Sequence, residues 1–375
     1  MLGELLTGVA AGTISGILPG IHVNTLGTFL AGMGVRDNLL LFSMGLTHTF
    51  LDVIPSAFLG VPDEGTALGI LPAHRLVLRG RAMEVVRIAL WASFMAVLMA
   101  LPLVPLYLKL APHYRWRFGR IAVVFLFLLL VLTESGWRKA YAVLVFILAG
   151  ALGIYAFRLP LERPYYHLFT GLFGVPVLMG PIFGDGGRIS PGSGEVLIER
   201  KRFLGFSFLG TVLGMVASLI PAFTASQAAL IGSFLSRDER SFLTVVFSVN
   251  TSTFLFSFLN FLSTGRVRNG IVALMSPLPE RAYTFYLFAA LFISLAVLLY
   301  GEPLARLLLG LVSRVPYGLL NASVLLALIM LSLLFDGSMG LLVLSGAAMV
   351  GSLAIVLGVK RTNCMGVLML PMIIG

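Results

Sequence analysis

The chain has 375 residues, of which 58% are hydrophobic and only 11% charged, with a mean hydropathy of +1.01. So few charges cannot cover the surface of a water-soluble domain, which excludes an ordinary globular protein and points to a polytopic membrane protein. The net charge of +10, from 26 basic against 16 acidic residues, does not argue for nucleic acid: the basic residues gather in short connections such as 74–87 and 109–120, as expected of loops beside anionic lipid on the cytoplasmic face of the cell membrane.

A hydrocarbon core of about 30 Å takes about 20 apolar residues per helix, and the segments follow from that length. The first, 3–18, carries Gly8, Gly12 and Gly16 at four-residue spacing and ends at Pro19-Gly20. It lacks the basic region and cleavage site of a secretory signal and is expected to remain a membrane element. Proline removes a backbone donor and glycine frees the chain, so the helix should open there. Inside a bilayer such a break persists only where it faces protein, water or a ligand. The arm that follows, 22–34, begins His22-Val23-Asn24-Thr25, and its first turn offers unpaired N–H groups with partial positive charge, a place for an anion. A proline kink stabilised by Asn and Thr back-bonding is the plainer reading of the same residues.

The span 39–61 holds Thr47, His48 and Asp52, the last being the only acid well inside a hydrophobic segment. His48, Asp52 and Ser56 recur every four residues and share one face. Asp52 could bind Na⁺, carry a proton or form a structural ion pair with His48, and intramembrane ionisable groups are functional candidates by default. The turn after it, Gly60-Val-Pro62-Asp63-Glu64-Gly65-Thr66-Ala67, adds Asp63 and Thr66 as further oxygen donors for a cation; read plainly, it is a solvated loop. Spans at 84–108, 119–134 and 139–157 and a shorter one at 167–183 complete a first repeat, 1–185. Residues 186–202, rich in Gly, Ser and charge, form a linker.

The second repeat, 203–375, runs 203–219 with an arm at 222–235, then 241–263, 282–300, 316–335, 338–358 and 362–374. Pro221 interrupts its opening, and Thr224, Ser226 and Gln227 follow as substrate-binding candidates. The span 241–263 supplies Thr251 and Ser252 to the substrate set and Asn250 and Asn260 to the ion set, with Phe256 standing where the first half has Asp52. The loop behind it reads Gly265-Arg-Val-Arg268-Asn-Gly270, with arginines where the first half has acids.

Pro19 and Pro221 lie 202 residues apart, Thr47-His48-Thr49-Phe50 matches Thr251-Ser252-Thr253-Phe254 at 204, Gly136 and Gly150 match Gly337 and Gly351 at 201, and Gly171 to Pro176 resembles Gly366 to Pro371 at 195. Four matches in one order predict an all-α polytopic membrane protein of two repeats, inverted rather than parallel, with Pro/Gly-broken helices or re-entrant hairpins.

On the motif Gly12-x3-Gly16-Ile-Leu-Pro19-Gly20, and more loosely on Gly60 to Ala67 followed by Pro72-Ala73 and Gly80, the chain resembles the large membrane subunit of the tripartite tricarboxylate transporters, in the short archaeal-type form. The resemblance implies secondary uptake of di- or tricarboxylates driven by Na⁺ or H⁺, a small membrane subunit and a binding protein as partners, and no cofactor beyond the coupling ion. The alternative is an intramembrane enzyme, a protease or lipid-modifying transferase. Against it, the zinc-protease pattern His-Glu-x2-His is absent and Asp52 has no clear second aspartate. Cys364, the only cysteine, rules out an intrachain disulfide.

Overall fold

The computed structural model describes residues 1–61, 66–114, 117–182, 189, 192, 194–220, 225–236 and 238–374, with side chains omitted at 117, 118 and 181. Asp63, Pro221, Thr224, and much of the expected linker lie outside the described residues. Among those described, every regular element is helical. Among the described residues, seven helical segments are long and apolar enough to cross a membrane: Asn38–Leu59, Ala82–His113, Arg138–Ala156, Arg200–Leu219, Glu239–Thr264, Glu280–Val312 and Tyr317–Val356. The protein is therefore a multi-pass, all-α membrane protein.

The opening helix α1 (Leu2–Ile17) ends at Leu18 in extended backbone, and after Gly20 (φ +82°) a separate helix α2 (Val23–Gly32) begins. The expected break thus falls at Pro19-Gly20. Helix α3 (Asn38–Leu51) passes at Asp52 into α4 (Val53–Leu59), which stops at Gly60. Then come α5 (Ile70–Leu78), α6 (Ala82–Ala100), α7 (Val104–Leu110), α8 (Arg117–Leu132) and α9 (Arg138–Ala156). Helix α10 (Pro164–Phe169) widens into a π-turn over Thr170–Gly174 before α11 (Val175–Ile182). The carbonyls of Leu172 and Phe173 in that turn accept from the buried Arg361 guanidinium, at 2.9 and 2.5 Å.

Helices α12 (Arg200–Leu219), α13 (Ala225–Leu235) and α14 (Glu239–Thr264) follow, then α15 (Tyr283–Val312), α16 (Tyr317–Val356) and α17 (Gly366–Ile374). Helix α15 outruns the expected end near residue 300 and carries Pro303 in its interior. At about 1.5 Å per residue, the 40 residues of α16 would reach about 60 Å, twice the hydrocarbon core. The chain relieves this at Asp336 and Gly337, whose dihedrals are non-helical, so the two expected spans meet at a kink.

Close seams organise the bundle. Water supplies no drive for helices to associate in lipid, so small residues that let backbones approach carry the packing. On α1, a Cβ added at Gly8 would meet Ser43 Cβ at 2.7 Å and one at Gly12 would meet Met44 O at 2.5 Å; on α12, one at Gly210 would meet Val245 O at 2.8 Å and one at Gly214 Val249 O at 2.9 Å. The α1–α3 and α12–α14 seams therefore share one contact pattern. Matched through it, the offset between α3 and α14 is 205 rather than 204, so Ser257, not Phe256, stands where Asp52 does. The same offset pairs Gly60 with Gly265, both closing a helix at φ +69°.

At the other end of each half the seams cross over. Gly153 of α9 packs on Val367 of α17, and Gly366 on Phe146, while Gly351 of α16 packs on Leu172 of the π-turn, and Gly171 on Ala347. Segments far apart in the chain thus clasp one another, α9 with α17 and α16 with the π-turn. All but the ends of Asn38–Leu59 and most of Glu239–Thr264 are buried, which keeps the polar faces of both away from lipid.

Candidate functional site

Two cavities meet at the start of α2. Its N-cap is His22, whose Nδ1 accepts from Asn24 N–H at 3.1 Å, which places the proton of a neutral His22 ring on Nε2. The His22 ring stands edge-on to that of His48 with centroids 4.9 Å apart, and Ser15 Oγ lies 3.1 Å from His48 Nδ1. His22, Asn24, His48 and Tyr165 line both cavities and form the partition between them.

The smaller cavity, about 200 Å³, lies on the Gly20 side and includes Thr25, Asp52, Ser56, Glu162 and Arg163 in its wall. His48, Asp52 and Ser56 all reach it, so the shared face read from their spacing is the face they use. Two of its charged groups are carboxylates. The larger cavity, about 680 Å³, is bounded by His22 and Asn24 beside the Pro19-Gly20 break, by Ile220 at the end of α12 and Ala225 at the start of α13, and by α3 and α14. Its volume falls within the range of small-molecule sites. Asn250, Thr253 and Ser257 line it from successive turns of one α14 face. At the 205-residue offset these positions match Gly45, His48 and Asp52 of α3.

The two cavities differ in sign. Among the described residues lining the larger one, Arg268 alone carries a permanent charge. Its Nε is buried and has no hydrogen-bond partner, and among the described residues no carboxylate pairs with it. Burial holds its guanidinium below the ordinary arginine value. Asn24 Oδ1, Thr253 Oγ1 and Ser257 Oγ are likewise buried without partners. Such atoms are costly to leave unmade, and here all four belong to residues that line one cavity. Asp52, in the wall of the smaller cavity, accepts from Asn250 Nδ2 of the larger at 2.7 Å.

Other sequence candidates sit behind the cavities. Thr47 packs against Gly12, and Ser252 donates to Ser248 O at 2.6 Å in the α12–α14 seam. Asn260 donates to Ser218 O at 3.1 Å and accepts from Thr264. Pro19, Thr66, Thr251, Ser226 and Gln227 are not among the lining residues of either cavity; Thr66, Thr251, Ser226 and Gln227 are buried, the last two at the start of α13. Arg268 and Ser257 are what sequence reading missed. The first looks like loop charge, and the second is hidden by a register that puts Phe256 opposite Asp52.

The tripartite tricarboxylate transporter TctA family is matched over residues 2–366. A protein of Methanocaldococcus jannaschii, itself named as uncharacterized, is 32% identical over 286 residues, spanning 71% of this chain and 70% of its own length. No solved structure matches the chain.

Proposed function

Because the chain belongs to the tripartite tricarboxylate transporter TctA family, we propose that it is the permease of a secondary uptake system for small organic anions of the di- and tricarboxylate class. The observation that carries this reading is the larger cavity, lined by the start of α2, the end of α12, the start of α13 and one face of α14, with unpaired hydroxyls and the unpaired guanidinium of Arg268. The N-terminus of α2 adds partial positive charge there, and an anion is the ligand that such a wall favours.

Coupling to Na⁺ or H⁺ is assigned to the smaller cavity, with Asp52 as its central carboxylate. The Asn250–Asp52 hydrogen bond gives the two sites a shared element, since a cation or proton arriving at Asp52 alters the acceptor that Asn250 holds. This is the differential contact that coupling requires.

The halves 1–185 and 203–375, joined by 186–202, are proposed as inverted repeats. The repeated α1–α3 and α12–α14 seams and the exchanged terminal segments support the duplication, and rocking one half against the other would give alternating access. A small membrane subunit and a substrate-binding protein are the proposed partners.

The test is uptake of labelled citrate and succinate by the purified protein in liposomes under an imposed Na⁺ or pH gradient. Saturable, gradient-dependent uptake is expected. Absence of such uptake for every organic anion tried, with and without partner subunits, rejects the reading.

A further inference from the structure

Arg268 lies in the connection between α14 and α15, a segment whose composition alone reads as a solvated basic loop. The structure folds that connection inward. Gly270, two residues on, is so close to the Asn24 side chain that an added Cβ would lie 2.7 Å from its Cγ, and Val267, Arg268, Asn269 and Gly270 all line the larger cavity. A guanidinium part-buried within a membrane protein ordinarily has a carboxylate or a set of carbonyls beside it. The buried Arg361 has such a set for its Nη2 in Leu172 and Phe173. Arg268 is half-buried, its Nε is shielded from solvent, and among the described residues it has no such acceptor.

We propose that the counter-ion of Arg268 is the cargo: Arg268 binds one carboxylate of the substrate, and the hydroxyls of Thr253 and Ser257 bind its distal polar end. The inference rests on the transport reading above and extends it to the residue that selects the substrate class. Guanidinium geometry matches a carboxylate through two parallel N–H···O bonds, which an ammonium cannot reproduce. Ser257 is 1% exposed, and its Oγ has no partner among the described residues, which leaves it free to donate to a ligand. Asn24, packed against Gly270 of the same loop, has an unpaired Oδ1 and lines the same cavity, where it would accept from a substrate hydroxyl. The site therefore favours hydroxylated or plain dicarboxylates and tricarboxylates over monocarboxylates, which satisfy only the Arg268 end.

The experiment compares wild type, Arg268→Gln, Arg268→Lys and Ser257→Ala, full-length and reconstituted, for uptake of labelled succinate, citrate and acetate. Loss of a buried charge partner is expected to raise the succinate KM about 30-fold or more in Arg268→Gln, with a smaller rise in Arg268→Lys. Ser257→Ala should narrow the preference for succinate over acetate. Wild-type uptake with an unchanged KM in a folded Arg268→Gln overturns the assignment and leaves the transport reading standing. Should the glutamine variant fail to fold, an unchanged KM in Arg268→Lys overturns it instead. No uptake of any of the three anions by wild type, with and without partner subunits, removes both.

Discussion

Asn250 Nδ2 donates to Asp52 Oδ2 across 2.7 Å, tying α14 to the junction of α3 and α4 at the boundary between two cavities. A hydrogen bond to a charged acceptor contributes about 1.5–3 kcal/mol. Asn250→Ala is therefore expected to lower stability by about that amount and to raise the cation concentration needed for half-maximal uptake. Asp52→Asn should keep the fold while uncoupling uptake from the gradient. Thermal unfolding in detergent and uptake at varied Na⁺ and pH check both.

The glycine seams predict a contrast along one helix. Alanine at Gly214 would put a methyl 2.9 Å from Val249 O, whereas at Gly205, also in α12, it meets nothing within 4 Å. Gly214→Ala, and likewise Gly12→Ala on α1, should cost about 1–3 kcal/mol through overpacking, while Gly205→Ala is neutral or gains up to about 1 kcal/mol in helix propensity. Unfolding midpoints of the three variants give the answer, and equal effects would contradict the seams.

Asp336 sits at the kink of α16 and collects the N–H groups of Glu162 and Arg163 together with His167 Nε2, while His167 Nδ1 meets Ser332 Oγ at 3.0 Å. This carboxylate holds the loop that supplies Glu162 and Arg163 to the smaller cavity. Asp336→Ala is expected to cost about 3–5 kcal/mol, as for removal of one member of a buried polar pair. Hydrogen exchange at 158–166 should quicken in the folded fraction.

Arg361 caps two carbonyls that the π-turn turns outward. Arg361→Met should leave both without donors at about 1–3 kcal/mol each, and Arg361→Lys, which can serve fewer acceptors, should fall between. Denaturation of the two variants beside wild type checks the order.

Asp238 caps α14 by accepting from Ser241 N–H at 3.0 Å. Burial acts to raise its pKa, but the bonds from Ser241 and the nearby Arg202 outweigh this and hold it below its ordinary value of 3.8. The sign follows: its contribution is complete above the unfolded value and fades as pH falls through the lower folded one. Asp238→Ala is expected to cost about 1 kcal/mol at neutral pH and nothing extra below that range, as read from unfolding midpoints across an acid series.

Much of this molecule was legible along the chain, because the bilayer imposes helix length and proline imposes interruption. The break at Pro19-Gly20, the shared face of His48, Asp52 and Ser56, and the division at Asp336-Gly337 all follow from local covalent geometry and apolar run length. Ser252 reads as a site residue by the same polarity that instead serves its helix seam, where its hydroxyl donates to Ser248 O. Hydroxyl groups bonded back to the preceding turn look identical, in sequence, to those aimed at a ligand.

Composition and periodicity by themselves determined a membrane-embedded helical protein whose opening helix is interrupted at a proline. Only the tertiary structure decided that Arg268 turns inward, that Ser257 faces the same cavity as Asn24, and that Asp52 is linked to Asn250. Those relations depend on which residues 200 positions apart become neighbours, and close packing of helix against helix sets that to within one residue of register, finer than any pattern along a single strand of sequence can resolve.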